Sequence, residues 1–242
     1  MIVRDIMTTR LVTLAPDDTL ARAANLLRQY QFHHLPVARQ VQIAGEKHEE
    51  YERPKTHLIL EGLLTSADID IAVALANQDS SHPWQERHVA EIMHRAVVRV
   101  TPMTTVAAAA QILVERGINY LPVVEFGLLE DANQPLLVGL VTRSDLLIAL
   151  ARAMGAYEPG MQIDITLPMG NMTPLAKTLL LAAELHMPVR SVIAAPTVGS
   201  MPQAATVRLG TINPAPLLMH LHEEGIHYSF GDAAPGGDAH EH

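Results

Sequence analysis

Two stretches of the chain show the same order of apolar and polar positions. Each begins with apolar residues at helical spacing, continues with two short apolar runs typical of strands, and ends in a second apolar helix. The predicted helices cover residues 20–27, 69–76, 106–113 and 146–153, and the predicted strands cover residues 35–38, 58–65, 120–125 and 136–142. An Asp of the pair at 17–18 and Thr104 are the predicted N-caps of the first helix in each unit. The pattern therefore predicts a repeated helix–strand–strand–helix unit.

The side chains repeat along with the pattern. Residues 3–7, with the sequence VRDIM, recur as VAEIM at residues 89–93. The offset of 86 holds without a gap up to the Leu-Pro-Val triplets at 35–37 and 121–123. A fixed offset over this length indicates an internal duplication.

The offset changes after the Leu-Pro-Val triplet. Residues 62–69 match residues 139–146 at an offset of 77, so the first copy is nine residues longer than the second. The extra length falls in the polar stretch 39–61, for which a surface β-hairpin is the simplest interpretation.

The second half of each copy contains the pattern Gly-x-x-Thr-x-x-Asp. It places Thr65 or Thr142 at a strand end and Asp68 or Asp145 at a helix start. Free N–H groups and the positive helix dipole can hold a phosphate there, and a carboxylate can accept two hydrogen bonds from a ribose diol. The alternative is that both Asp residues are helix N-caps and both Thr residues satisfy local backbone groups. The residues alone leave both interpretations open.

Together with the Ile-Met opening and the Leu-Pro-Val triplet, this motif makes residues 1–153 resemble two tandem CBS domains, which form a Bateman module. The resemblance assigns residues 1–78 to the first repeat and residues 79–153 to the second. Proteins of this family commonly bind AMP, ADP, ATP or S-adenosylmethionine in clefts between the repeats. Each cleft uses the Thr and the Asp of one repeat.

The resemblance also implies the members of two binding sites. The second-repeat site would comprise Thr8, Phe32, His33, His34, Leu140, Thr142, Arg143 and Asp145. The first-repeat site would comprise Leu63, Thr65, Asp68, His94, Ile118, Asn119 and Tyr120. Ser66 stands where the other copy has Arg143, so only the second motif carries its own counter-charge for a phosphate. We therefore expect tighter binding of a phosphorylated adenosine ligand at the Asp145 site than at the Asp68 site.

Residues 160–231 show a different order of elements. The predicted strands cover residues 161–167, 189–195, 205–211 and 226–230, and the predicted helices cover residues 175–185 and 214–224. This βαββαβ order is ferredoxin-like, and the segment resembles an ACT domain. The fold class expected for the whole chain is therefore α+β.

The ACT resemblance implies two roles for this segment. ACT domains usually carry Pro-Gly at the start of the first helix, where a small ligand approaches the backbone, but here Leu175 follows Pro174. Pairing of two copies is therefore an alternative to amino-acid sensing. Residues 232–242, rich in Gly, Ala, Asp and His, are predicted to be a disordered tail.

The order CBS–CBS–ACT resembles that of the AcuB-like proteins associated with acetoin utilisation. The resemblance implies a regulatory protein that senses an adenosine nucleotide or S-adenosylmethionine, pairs as a homodimer and acts on an unidentified protein target. It implies no obligatory cofactor. An oligomerisation scaffold with empty or vestigial clefts is the alternative.

Composition excludes several classes of function. The chain has 242 residues, a net charge of −9 and no cysteine, which excludes disulfides, cysteine-bound metals and a thiol nucleophile. The acidic balance argues against nucleic-acid binding. No apolar run reaches the roughly 20 residues of a membrane span, and charges at Arg4, Asp5 and Arg10 interrupt any signal peptide, so we expect a cytoplasmic protein.

The thirteen histidines do not form a recognisable metal motif. No His-Glu-x-x-His spacing occurs, and His33 and His34, adjacent in a predicted strand, are expected to face opposite sides. Nucleophile elbows and phosphate loops are also missing from the sequence. We therefore predict neither a metal site nor catalytic residues, and a protein that is not an enzyme.

Overall fold

The computed structural model describes residues 1–43, 55–76, 83–129, 132–196 and 201–230. The chain divides into two compact units, Met1–Leu146 and Leu147–His242. The tip of the predicted surface hairpin (44–54), the predicted boundary between the repeats near residue 78 and the predicted tail (232–242) lie outside the described residues.

The first unit contains both copies of the repeat. Its elements are α1 (Leu20–Tyr30), β1 (His34–Ile43), β2 (Lys55–Thr65), α2 (Ser66–Ala76), α3 (Val89–Ile92), α4 (Val106–Glu115), β3 (Tyr120–Leu129), β4 (Ala132–Thr142) and the start of α5 (Arg143–Ala153). The repeated helix–strand–strand–helix order is confirmed. The strands run beyond the apolar runs because their polar outer ends continue to pair, and α2 and α5 begin three residues earlier than predicted.

One antiparallel sheet joins the two copies in the order β1-β2-β4-β3. The two middle strands meet at Ile59 and Leu136. Both hairpins shift register at equivalent positions, between Val37 and Ala38 in the first copy and at 123–124 in the second. The duplication seen in the sequence is thus a duplication of backbone detail.

Threonines cap the first helix of each copy. The hydroxyls of Thr19 and Thr105 accept hydrogen bonds from the backbone N–H three residues further on. The sequence predicted an Asp of the pair at 17–18 and Thr104 as these N-caps. Both predictions are wrong, because the cap in each copy lies at the next residue along the chain. The carboxylate of Asp18 instead accepts a hydrogen bond from the N–H of Ala15, in the turn before α1.

The opening segment of each copy packs on the other copy. Val3 is fully buried in the core of the second repeat, and its N–H donates to the carbonyl of Thr104 at 2.8 Å. Val89 is fully buried in the core of the first repeat, and its N–H donates to the carbonyl of Asp18 at 2.9 Å. Burial of each valine contributes about 1.5–3 kcal/mol, which fixes the opening segments in place.

The second unit has the predicted βαββαβ order. Its elements after α5 are β5 (Met161–Thr166), α6 (Thr173–Glu184), β6 (Val189–Ile193), β7 (Ala204–Leu209), α7 (Ala215–Glu223) and β8 (Tyr228–Phe230). They form an antiparallel sheet in the order β6-β7-β5-β8. Its core includes Ile163 and Leu209 of the sheet and Leu217 of α7, all fully buried. The α+β fold class is confirmed.

No helix in the described part of the chain combines the length and the hydropathy needed to cross a membrane.

Candidate functional site

The repeated Thr and Asp hold each other in a local cap. The N–H and the hydroxyl of Thr142 donate to Oδ2 of Asp145 at 2.8 and 2.7 Å, and the N–H of Asp145 lies 3.2 Å from the Thr142 hydroxyl oxygen. Thr65 and Asp68 make the same three contacts at 2.8, 2.7 and 3.3 Å. Thr65 and Thr142 directly precede α2 and α5, so these two threonines are the N-caps, and each Asp, in the first turn of its helix, closes the cap through Oδ2. The interpretation that the Thr residues satisfy local backbone groups is confirmed, and the interpretation that the Asp residues are themselves the N-caps is wrong. The proton of each Thr hydroxyl is already donated, so it is not free for a phosphate.

The motif glycine lets the opening segment of the other copy approach the second-repeat motif. A Cβ on Gly139 would lie 2.6 Å from Sδ of Met7, closer than real contacts allow. The backbones of Thr8 and Leu140 pair through two hydrogen bonds of 2.9 and 3.0 Å. Thr8 is therefore held beside the strand that leads to Asp145.

The first-repeat motif receives His94 in the same way. The backbones of His94 and Leu63 pair at 2.9 and 2.8 Å, and a Cβ on Gly62 would lie 2.9 Å from the carbonyl oxygen of His94. The imidazole Nε2 of His94 lies 2.8 Å from Oδ1 of Asp68. A carboxylate only accepts, so the ring N–H donates this bond. Both oxygens of Asp68 thus have partners within the chain.

The second site differs at this point. Thr8 stands where the first site has His94, and among the described residues no hydrogen bond reaches Oδ1 of Asp145. Asp145 lines a cavity of about 200 Å³. Six of the predicted second-site residues line the cavity: Thr8, Phe32, His34, Leu140, Thr142 and Asp145. The cavity also has five lining residues that the sequence analysis missed: Arg10, Leu11, Val12, Leu35 and Pro36.

His33 and Arg143 do not line this cavity. His33 is exposed and lines a separate cavity. It precedes β1, which begins at His34, so the prediction that both histidines lie in a strand is wrong for His33. The Arg143 guanidinium donates to the carbonyl oxygens of Ile118 at 3.0 Å and Leu113 at 3.2 Å. Leu113 lies in the last turn of α4, where carbonyl oxygens attract a cation, and Ile118 lies in the loop after this helix.

Arg10 lines this cavity, which Arg143 does not. Pattern matching missed it because it lies outside the repeated motif. The other copy has Ala96 at the equivalent position, and this difference between otherwise matching segments was the available signal.

The contacts above bring together four of the predicted first-site residues: Leu63, Thr65, Asp68 and His94. The other three, Ile118, Asn119 and Tyr120, lie between the end of α4 and the start of β3. Ile118 and Asn119 present their carbonyls to the side chain and the backbone of Arg143. Tyr120 is partly buried. Burial is the main cause that raises the pKa of its hydroxyl, and the negative charge of Asp68 is the second cause.

His34 and Tyr120 occupy equivalent positions in the two copies and stack on each other. Their ring centroids are 4.0 Å apart, with an interplanar angle of 27°. Burial, with a smaller contribution from the charge of His33, lowers the pKa of His34 from 6.5 to about 4. The cavity wall formed by His34 is therefore an uncharged aromatic ring at neutral pH.

The lowered pKa of His34 predicts a loss of stability in mild acid. Unfolded His34 has a pKa of 6.5, so between pH 6.5 and about 4 the unfolded chain binds a proton that the folded chain does not. The free energy of unfolding should fall as pH falls through this window, by roughly 1–3 kcal/mol since the ring remains partly exposed to solvent. Urea denaturation of wild type and His34→Phe at pH 7, 6 and 5 measures this contribution. A His33→Phe control should keep most of the wild-type slope, because burial is the larger cause of the lowered pKa of His34 and stays in place. An unchanged slope in His34→Phe would contradict the prediction.

The described residues contain no group of three or more His, Asp or Glu side chains placed to hold a metal ion.

The family comparison identifies the class of protein. Residues 3–45 and 89–152 match the family model described as CBS domain. The first segment covers the first copy only through β1, whereas the second segment covers the second copy from α3 into α5. The matched residues therefore carry CBS-domain sequence in both copies.

Two protein relatives share this class. The CBS domain-containing protein YhcV of Bacillus subtilis is 29% identical over 146 residues, which are 60% of this chain and 83% of the relative. A CBS domain-containing protein of Dictyostelium discoideum is 26% identical over 164 residues, covering 66% of this chain and 97% of the relative.

Similar solved structures include a Vibrio cholerae protein that carries the provisional name acetoin utilization protein (AcuB). It is 28% identical, with a TM-score of 0.45, and the match covers 66% of this chain and 98% of that protein. CBSX2, solved in complex with AMP, is 23% identical with a TM-score of 0.43, and the match covers 62% of this chain and 95% of CBSX2.

Proposed function

We propose that the tandem CBS pair is a regulatory module that binds an adenosine nucleotide in the cavity beside Asp145. The observation that carries this proposal is a cavity of about 200 Å³ lined by both Arg10 and Asp145, whose Oδ1 accepts no hydrogen bond from the described residues. A carboxylate oxygen and a cation on one cavity suit a ligand that has both hydroxyl donors and a negative charge.

Each part of a nucleotide has a matching group in this cavity. The ribose hydroxyls would donate to Oδ1 of Asp145, and the base would lie among Val12, Leu140 and the uncharged ring of His34. Arg10 would pair with the phosphate. The volume of about 200 Å³ lies below the roughly 300–1,000 Å³ of typical ligand pockets. We therefore place the nucleoside inside the cavity and the phosphate at its mouth.

The site is built from both copies, which gives binding a route to regulation. Thr8 and Arg10 come from the opening segment, whereas Leu140 and Asp145 belong to the second-repeat motif. A ligand that contacts both segments stabilises arrangements that hold them together. Regulation requires such a difference in ligand affinity between two states of the protein.

Calorimetry with AMP, ADP, ATP, S-adenosylmethionine and adenosine tests the proposal. Loss of a charge-assisted hydrogen bond costs about 1.5–3 kcal/mol, so Arg10→Gln should weaken AMP binding roughly ten- to hundredfold and leave adenosine binding unchanged. Arg4→Gln is the matched control, because Arg4 lies in the same segment and pairs with Glu125. Failure of every ligand to bind would contradict the proposal, as would an equal loss of adenosine and AMP binding in Arg10→Gln. Hydrolysis of bound ATP would contradict a non-catalytic role.

A pairing role has its own support. Apolar side chains on α2 and α5 are more than half exposed, namely Ile71, Leu75, Leu147 and Leu150. Such faces are typical of contacts between protein chains. We propose that two copies pair through them, and sedimentation of wild type and Leu75→Lys tests this. A monomeric wild type would contradict pairing.

The order of a CBS pair followed by a βαββαβ unit supports a link to acetoin utilisation and an ACT-like role for the second unit. Growth on acetoin of a strain that lacks the protein tests the first, and titration of the protein with amino acids tests the second.

A further inference from the structure

A second cavity, of about 570 Å³, lies on the first repeat between α1 and α2. Its lining includes Leu27, Phe32, Ser66, Asp70 and Trp84. None of these residues except Phe32 borders the Asp145 cavity. It is therefore a separate groove, which we call the α1–α2 groove.

The second copy shows what the equivalent space holds there. In that copy, the Arg143 side chain occupies the space and donates to the carbonyl oxygens of Leu113 and Ile118. The repeat offsets make Leu27 and Phe32 the equivalents of these two carbonyl residues, and Ser66 the equivalent of Arg143. The α1–α2 groove is thus the space that an arginine side chain fills in the second copy.

The backbone around the groove matches that of the second copy. The N–H of Phe32 donates to the carbonyl of Leu27 at 2.9 Å, and the N–H of Ser66 donates to the carbonyl of His33 at 3.0 Å. The equivalent bonds in the second copy measure 3.1 Å in both cases. The carbonyls of the first copy are therefore presented as they are where Arg143 binds.

Two further side chains make the groove suitable for a guanidinium group. Asp70 is exposed and brings a carboxylate where the second copy has Leu147. Trp84 is half-buried and offers an indole face. A guanidinium is planar, forms bidentate bonds with carboxylates and stacks on aromatic rings. Arg28 also lines the groove, and its positive charge repels an incoming guanidinium, so the carboxylate of Asp70 is needed to offset it.

We propose that the α1–α2 groove binds an arginine side chain presented by a partner protein. The partner's guanidinium would donate to the carbonyls of Leu27 and Phe32, as Arg143 does in the second copy, and would pair with Asp70. The groove is larger than one side chain and leaves room for the residues that flank the arginine. This extra room favours a protein segment over a free guanidine compound.

Trp84 is the single tryptophan of the chain, so its fluorescence reports directly on the groove. The probes are the capped tripeptide Gly-Arg-Gly, the capped tripeptide Gly-Lys-Gly and free arginine. We expect a saturable fluorescence change with the arginine tripeptide, and binding at least about tenfold weaker for the other two probes. No saturable change, or equal binding of the lysine tripeptide, would overturn the proposal. Equal binding of free arginine would overturn the assignment to a protein partner.

Two variants test the location. Ser66→Arg should fill the groove with its own guanidinium, raise the melting temperature and abolish the fluorescence change with the tripeptide. Asp70→Asn should fold like wild type, because Asp70 is exposed, and should weaken the tripeptide about tenfold. A saturable fluorescence change in Ser66→Arg, or an unchanged affinity in Asp70→Asn, would overturn the proposal. Neither residue borders the Asp145 cavity, so AMP titrations of the same variants are expected to match wild type.

Discussion

Replacement of Asp145 by Asn is expected to weaken AMP binding by about a hundredfold. The proposed ribose contact uses Oδ1 of Asp145, the carboxylate oxygen that accepts no hydrogen bond from the described residues. Asn keeps the size of the side chain but loses the charge, and two weakened charge-assisted hydrogen bonds cost roughly 3 kcal/mol, which corresponds to about two decades of affinity. Calorimetry at a single ionic strength measures the change.

Asp68→Asn is the matched control for Asp145→Asn. It removes the same charge from the same local cap, so both variants should lose similar stability in thermal denaturation. In the first repeat, however, Oδ1 is already bonded to His94, and AMP affinity should stay within about twofold of wild type. Equal losses of affinity in the two variants would show that Oδ1 of Asp145 does not set the difference between the sites.

His94→Thr is expected to raise the number of adenosine sites from one to two per chain. The substitution copies Thr8 into the equivalent position and releases Oδ1 of Asp68 from the imidazole. The His94 side chain is 63% exposed, so its removal should cost little stability. Ala96 stands where the second site has Arg10, so the new site should bind adenosine and AMP with similar affinity. The stoichiometry from calorimetry with adenosine reports the result.

The reciprocal change Thr8→His tests the same idea in the opposite direction. A histidine at position 8 should place its ring N–H on Oδ1 of Asp145, as His94 does on Asp68, and should abolish binding at the second site. A single site in His94→Thr would contradict the proposed role of the imidazole. Unchanged binding in Thr8→His would contradict it independently.

The fold was largely predictable because its signals are local. Apolar spacing identified the helices and strands of both copies, and the fixed offset of 86 identified the duplication. The βαββαβ order of the second unit followed from the same kind of pattern. Boundaries were less accurate, since the polar outer ends of β1 and β2 pair with each other without an apolar signal.

The candidate site was predictable in six of its eleven lining residues but not in their contacts. The repeated motif and the family resemblance gave six of the residues around the Asp145 cavity. They did not reveal that Arg143 binds the carbonyls of Leu113 and Ile118, or that Arg10 lines the cavity instead. The direction of a side chain depends on neighbours that folding brings close. A motif in one segment of the chain does not predict which distant residues these neighbours are.

The sequence by itself determined that the chain contains a duplicated unit, because a repeated order of side chains imposes the same local structure twice. Only the tertiary structure decided in which copy both oxygens of the motif carboxylate have partners. Each opening segment packs on the other copy, and the His94 imidazole bonds to Oδ1 of Asp68, whereas Thr8 pairs with the backbone of Leu140 and makes no hydrogen bond with Asp145. The physical reason is that a carboxylate oxygen is available to a ligand only where no donor of the chain reaches it. That property depends on distances between residues far apart in the sequence.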